Sequence, residues 1–297
     1  EHQVSSTHGG RVLGSKLPYG SIFFPTNFGS TATSDNNVFV NGAPSTADFG
    51  GGAIQLNVAD LLVIDGKVDA GSSERHYKSV SSSGGSIFLK AGAILGKGKI
   101  LSCGGNATSK ICGAGGRISL VNEKARSNLF KGKVLAAGGK INTTSSYEYY
   151  RYGPPGTIYM QYGRTLGNGD LIIDADRWNR KDGYEYITGS KHYLQTDLTP
   201  AIACDPGDKK ALRNTKVIVR NGGRLMVTED TVIKDLKLEK DHSYLMVPSG
   251  ITLRILSFEH ALGEKTTQVS GEISSAGVRG ELGVIEWLQK GVKLFLR

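Results

Sequence analysis

The chain lacks the patterns that would place it in several large protein classes. Proline is scarce, at 8 of 297 residues, and glycine follows no strict triplet period, which excludes a collagen-like fibre. No run approaches the roughly 18 consecutive apolar residues that a membrane-spanning helix needs, so we expect no membrane span. A basic helix, an RNA-binding aromatic signature and zinc-ligand spacing are all missing, so we do not expect nucleic-acid binding. The start of the chain has no signal-peptide pattern, and any targeting segment is expected to have been removed or to lie upstream.

Catalytic patterns are also missing. The six histidines are scattered, without the spacing of a metal site, and no nucleophile elbow, phosphate loop or dinucleotide fingerprint occurs. Two aspartate pairs are candidates for the paired carboxylates of a hydrolase: Asp174 with Asp176, and Asp205 with Asp208. The alternatives are a solvated strand end for the first pair and turn formation for the second. We expect no catalytic residues, and keep calcium binding by Asp174 and Asp176 as an open alternative.

Glycine is the abundant residue, at 41 of 297 or about 14%, against roughly 7% in ordinary proteins. Short β-branched and aromatic runs stand between the glycines. This pattern is typical of many short strands joined by tight turns.

A strand that begins with glycine and has isoleucine two residues later recurs in the first part of the chain. Its five copies begin at Gly20, Gly52, Gly85, Gly116 and Gly156. The glycine is expected to supply a turn conformation that a side chain would forbid. A second strand with a Gly-Lys start follows in most copies. Because one such unit cannot bury its apolar face alone, we predict stacked units: an all-β parallel β-helix, or solenoid, with an antiparallel β-sandwich as the alternative.

The repeat breaks after Asp174, where a polar and charged stretch begins. We therefore predict a glycine-rich repeat solenoid over residues 1–175. Residues 176–297 are expected to form an irregular insertion followed by further β-coils or a β cap, since an open end of the stack needs cover.

The net charge of +9 favours acidic partners, and five lysines recur at equivalent positions of the second strand. They are Lys67, Lys97, Lys99, Lys131 and Lys133. Lys67, Lys99 and Lys133 share one position, and Lys97 and Lys131 share the position two residues earlier. Stacked units would align them, which predicts a binding site for an acidic polysaccharide or proteoglycan. The alternative is a solvated edge on which lysine discourages aggregation.

Two signals indicate the secretory route and an extracellular or cell-surface location. Asn106 and Asn142 begin glycosylation acceptor triplets, although an unmodified surface asparagine is the alternative for each. Cys103 and Cys112 bracket the first triplet, and a local disulfide between them would fix that loop. The alternative for these cysteines is two ordinary buried thiols.

Four segments carry a resemblance to known repeat proteins: residues 19–22, 48–54, 85–87 and 156–159. Their glycine-strand pattern is similar to the glycine-rich β-solenoid repeats of large extracellular adhesin-like surface proteins and, more weakly, to sponge aggregation factor core proteins. The resemblance covers roughly residues 19–175. It implies a non-catalytic structural or cell-adhesion module that self-associates and is glycosylated. The alternatives are a β-helix polysaccharide lyase or glycoside hydrolase, and a carbohydrate-binding module without catalysis.

Overall fold

The structure of the protein is a computed structural model, and it is almost entirely β. It describes residues 8–10, 18–32, 39–40, 43–44, 49–72, 81–107, 112–140, 153–176, 196–198, 207–227, 229–239, 244–247, 249–257, 261–262, 267–268 and 283–287. Among these residues no helix is long and apolar enough to cross a membrane.

The described ranges contain many short strands and one short helix, α1 (Gly207–Leu212). The strands are β1 (Phe39–Val40), β2 (Ala43–Pro44), β3 (Ala53–Asn57), β4 (Leu61–Val63), β5 (Lys67–Asp69), β6 (Ser86–Ala91), β7 (Ala93–Leu95), β8 (Lys99–Leu101), β9 (Arg117–Asn122), β10 (Lys133–Leu135), β11 (Thr157–Tyr162), β12 (Gly169–Asp174), β13 (Thr196–Leu198), β14 (Thr215–Arg220), β15 (Arg224–Val227), β16 (Thr231–Ile233), β17 (Asp235–Leu238), β18 (Tyr244–Met246), β19 (Thr252–Ile255), β20 (Ala261–Leu262), β21 (Thr267–Gln268) and β22 (Val284–Trp287).

The largest sheet has eight strands in the order β20-β17-β14-β12-β11-β9-β6-β3. Neighbouring strands in it are parallel except β11 and β12, which are antiparallel. The chain reverses between them in a turn that contains Gly163 and Gly167, whose φ angles of 83° and 84° favour glycine. The other strands form separate small sheets: β1-β2, β4-β7, β10-β8-β5, β13-β15-β18-β21 and β16-β19-β22.

The reversal places hydrophobic cores on both faces of the large sheet. In β11, Ile158 packs into a core with Ile87 and Ile118, whereas its neighbour Tyr159 packs into a second core with Leu171. Side chains of adjacent strand residues point to opposite faces, so the two cores lie on either side of the same sheet. The first core belongs to the early strands, and the second belongs mainly to the strands after the reversal.

The predicted fold class is therefore wrong. The described residues form neither a clear β-helix nor an antiparallel sandwich, but a mixed eight-stranded sheet with several small sheets that do not close around one core. The physical reason is the antiparallel pairing of β11 with β12, which moves the interior to the other face of the sheet. The repeat gives no signal for this reversal because its glycines all precede parallel strands.

Four of the five aligned repeat starts do lie side by side. Ile54 is opposite Ile87, Ile87 is opposite Ile118, and Ile118 is opposite Ile158 in neighbouring parallel strands. The prediction of a fifth start at Gly20 is wrong, because residues 22–24 form bends rather than a strand in the sheet.

Three of the four glycines that precede these strands, Gly85, Gly116 and Gly156, are required for a different reason from the one expected. Their φ angles are not in the positive region that favours glycine. Instead, a Cβ on Gly85 would collide with the carbonyl oxygen of Gly52 in the preceding unit, and a Cβ on Gly116 would collide with that of Gly85. A Cβ on Gly156 would collide with the carbonyl oxygen of Gly116 in the same way. Close approach of one backbone to the next excludes any side chain here.

Candidate functional site

The lysines that the sequence aligned lie side by side in the sheet β10-β8-β5. Lys67 of β5 is opposite Lys99 of β8, and Lys99 is opposite Lys133 of β10. We call these three residues the lysine row. The residue after each lysine turns to the first hydrophobic core, so the lysines themselves face solvent, and all three are exposed. Neighbouring strands are about 4.8 Å apart, so three cationic side chains leave the sheet at that spacing.

Lys97 and Lys131 stand two residues before Lys99 and Lys133 and add two further exposed positive charges. The backbone N–H of Lys131 donates to the carbonyl of Gly96, which keeps Lys131 level with Lys97, and both side chains are exposed. The Asp65 carboxylate accepts the backbone N–H of Lys97 at 2.9 Å. In the first unit Asp65 occupies the position that Lys97 and Lys131 occupy in the next two units.

Carboxylates stand at the two ends of the lysine row. Lys67 Nζ lies 2.5 Å from Asp69 Oδ2, and Lys133 Nζ lies 3.3 Å from Asp176 Oδ2. Within the part of the chain that the structure describes, the middle lysine, Lys99, forms no ion pair. In each pair the lysine is exposed and the carboxylate is about a third exposed, and such surface pairs contribute only about 0–1 kcal/mol to stability. An incoming anion can therefore displace these carboxylates at low cost.

The Asp174–Asp176 pair does not face one common ligand. Asp174 is buried at the end of β12, where Oδ2 accepts from Arg220 Nε at 2.7 Å. Its Oδ1 accepts from Asn221 Nδ2 and from the backbone N–H of Asp176, both at 2.9 Å. Asp176 has a φ of 51° and its carboxylate contacts Lys133 instead.

The described residues hold no group of three or more histidine, cysteine or acidic side chains that could bind a metal ion. Calcium binding by the pair therefore stays a prediction. Asp205, of the second candidate pair, lies outside the described residues.

The described cysteine and glycosylation candidates lie in the segment between β8 and β9. Cys103 and Cys112 are not joined by a disulfide. Burial raises the pKa of the Cys103 thiol to about 11, and its Sγ donates to the Leu135 carbonyl at 3.7 Å. Asn106 is half-buried, and its Oδ1 accepts the backbone N–H of Lys140 at 2.7 Å. Asn142 lies outside the described residues.

Sequence reasoning missed a segment that crosses the outer face of β6, β9 and β11. We call residues 18–32 the strap. Phe23 of the strap packs edge-on against Tyr159, with ring centroids 4.6 Å apart, and joins the second core. Arg117 is fully buried beneath the strap, where its Nε donates to the Tyr19 carbonyl at 2.8 Å and its Nη1 donates to Thr157 Oγ1 at 3.1 Å.

His8 is also fully buried next to the strap. Its Nδ1 lies 2.7 Å from the Gly84 carbonyl, to which it donates, and its ring lies 4.7 Å from that of Tyr19. Burial, aided by the positive charge of Arg117, lowers the pKa of His8 to about 3. The imidazole is therefore neutral at physiological pH and acts as a hydrogen-bond donor to the sheet.

Comparisons with protein-family models, with curated proteins and with solved structures give no match for this chain.

Proposed function

We propose that the protein is a non-catalytic extracellular structural or adhesion module that binds an acidic polysaccharide along the lysine row. The observation that carries this proposal is the alignment of Lys67, Lys99 and Lys133 on three adjacent strands, with all three side chains exposed. The extracellular setting is supported by the two acceptor triplets and the resemblance to adhesin-like repeats.

A polymer fits the row better than a single anion does. In bulk water one pair of opposite unit charges at contact gains only about 1 kcal/mol, and salt weakens it further. A repeating chain of sulfates or carboxylates can engage several lysines at once, and the separate gains add. Lys99 offers a charge that no carboxylate of the described residues neutralises. Asp69 and Asp176 hold the two outer lysines in position until the polymer arrives.

The groups near the row do not favour catalysis. The lysines and their paired carboxylates are open to water, whereas a catalytic acid or base is usually desolvated. Asp174, a candidate in the hydrolase alternative, has both carboxylate oxygens bonded within the protein.

Replacing Lys99 and Lys133 together with glutamine is expected to weaken binding to heparin and to polygalacturonate roughly tenfold, because two exposed charge contacts are lost. The salt concentration that elutes the protein from either immobilised polymer should fall. Affinity chromatography and titration calorimetry at two salt concentrations measure both effects.

The matched control is Lys124→Gln with Lys209→Gln. These exposed lysines pair with Asp60 and Glu229 away from the row, and the variant loses the same net charge. We expect it to bind almost as the wild type does. Equal weakening in both variants would show a general charge effect and reject the lysine row as the site.

We propose further that the module self-associates, and that the strands of its first unit provide the surface. Among the strands that the structure describes, β3, β4 and β5 each lie at the edge of their sheets. Large apolar side chains are exposed on these strands, including Leu56 (41%), Leu61 (51%) and Val63 (53%). An open strand edge pairs best with another strand edge. A second copy offers the same edge, and a twofold arrangement would give each copy identical backbone partners.

Replacing Leu61 and Val63 with lysine is expected to abolish concentration-dependent association, since charge on an edge strand opposes pairing. Both side chains are exposed, so the fold should persist. Light scattering over a range of concentrations measures the mass. Val284→Lys, at an exposed site on the last strand, is the control and should associate normally. A wild-type protein that stays monomeric throughout would contradict this part of the proposal.

A further inference from the structure

A cleft of about 410 Å³ lies on a part of the molecule that the lysine row does not use. It opens between the turn that follows β11, the end of α1 and the ends of β16 and β19. Six residues line it: Thr165, Asn168, Arg213, Asn214, Lys234 and Leu256. Its volume falls within the range of small-molecule sites.

The residues that line the cleft are mainly hydrogen-bond donors. Five of its six residues are polar and exposed, each can donate hydrogen bonds, and none is acidic. Among the residues that the structure describes, Arg213 and Lys234 form no ion pair. Among its six described lining residues the cleft therefore carries two positive charges and no carboxylate, which makes it complementary to a ligand that is anionic and rich in acceptors.

The walls of the cleft are fixed to one another. Thr215 is fully buried, and its Oγ1 lies 2.9 Å from the Gly167 carbonyl and 2.9 Å from the Ala211 carbonyl. Gly167 has a φ of 84°, and a Cβ there would collide with the carbonyl of Ala211. Asn168 Nδ2 donates to the Tyr162 carbonyl at 2.6 Å, which orients that side chain. The backbone of the walls and the Asn168 amide are therefore held in place before a ligand arrives, which lowers the entropy cost of ordering them on binding.

We propose that this cleft binds the anionic group of a single acidic sugar, a sulfate ester or a carboxylate. The guanidinium of Arg213 provides the planar pair of donors that suits an oxyanion, and Lys234 adds a second charge. The amides and hydroxyl of the other residues suit the ring hydroxyls. Leu256 offers an apolar surface to the ring. The proposal is independent of the lysine row, which needs a polymer.

Titration with N-acetylglucosamine 6-sulfate, glucuronate, glucose 6-phosphate, inorganic sulfate and glucose tests the assignment. We expect the sulfated sugar and the uronate to bind with a Kd on the order of 1 mM, the scale of a weak single-site ligand. Glucose should not bind. In a ¹⁵N-labelled sample the side-chain amides of Asn168 and Asn214 should shift on binding. Inorganic sulfate or glucose 6-phosphate binding as tightly as the acidic sugars would overturn the assignment.

Arg213→Gln with Lys234→Gln is expected to raise that Kd at least tenfold. Lys209→Gln with Lys210→Gln, which removes two exposed charges from the adjacent helix, should leave it unchanged. An equal loss in both double variants would overturn the site in favour of a general charge effect. Asn214→Asp, which adds a negative charge to the lining, should also abolish binding and provides a second test if the first variant folds poorly.

The Lys99→Gln, Lys133→Gln variant separates the two proposals. It should lose affinity for polymers and keep its affinity for the acidic sugars. The Arg213→Gln, Lys234→Gln variant should lose affinity for the acidic sugars and keep its affinity for polymers. A cleft variant that still binds the acidic sugars would overturn the cleft and leave the lysine row intact.

Discussion

Alanine at Gly85 is expected to destabilise the protein by about 3 kcal/mol, the upper part of the range for overpacking. The new Cβ would collide with the carbonyl of Gly52 and with backbone atoms of Gly51. Backbone atoms inside a sheet cannot rotate away as a side chain can, so the two units must move apart. The midpoint of thermal unfolding should fall by roughly 6–12 °C.

Gly52 provides the matched control because it occupies the same position in the first unit. A Cβ at Gly52 meets no atom within 4 Å. Gly52→Ala should be neutral or stabilise the protein by up to about 1 kcal/mol, because alanine reduces the entropy of the unfolded chain. Gly98→Ala and Gly66→Ala repeat the comparison at the second strand, with the collision expected only at Gly98. Equal melting temperatures within each pair would contradict the close-approach explanation.

Acid is expected to destabilise the protein through His8 well above the pH at which most carboxylates titrate. Its pKa is about 3 in the folded state, against about 6.5 in an unfolded chain. Below pH 6.5 His8 therefore binds a proton in the unfolded state but not in the folded state. The contribution of His8 to stability is intact above pH 6.5 and falls by about 1.4 kcal/mol per pH unit as the pH drops towards 3.

Urea unfolding at half-unit steps between pH 7 and pH 4.5 measures this slope. His8→Gln keeps a neutral donor for the Gly84 carbonyl and has no group that titrates in this range. The variant should be less stable than the wild type at pH 7, since the contact with Tyr19 is lost, but its stability should depend less on pH. If the free energy of unfolding depends on pH equally in the two proteins, that result contradicts the assignment of the acid destabilisation to His8. The other five histidines lie outside the described residues.

The local repeat predicted part of the structure well. Equivalent positions in the sequence alignment became direct neighbours for Ile87 and Ile118 and for Lys99 and Lys133, because parallel strands of equal units pair in register. The candidate lysine row could therefore be found from spacing alone. Its flanking carboxylate Asp176 could not, since that residue reaches Lys133 only through the turn at the end of β12.

The features that sequence reasoning missed all depend on contacts between distant residues. The reversal at Gly163 and Gly167 changes the fold class, yet these glycines look like any other turn glycines in the sequence. Gly20 matches the repeat start, but its φ of 81° and the burial of Phe23 in the second core place its segment across the sheet instead. Arg117 stands at a strand position where the sequence shows only a charge, and it is buried because the strap covers it.

The strap also sets an order for folding on the ribosome. Its apolar residues Ile22 and Phe23 are synthesised early, but the side chain that Phe23 contacts, Tyr159, belongs to a strand that is made much later. Until β11 and the strands after the reversal have emerged and paired, these two side chains have no complete core to enter and stay available to chaperones or to neighbouring nascent chains. Translation pauses before those strands are made should therefore lower the yield of native protein, whereas pauses after them should matter less.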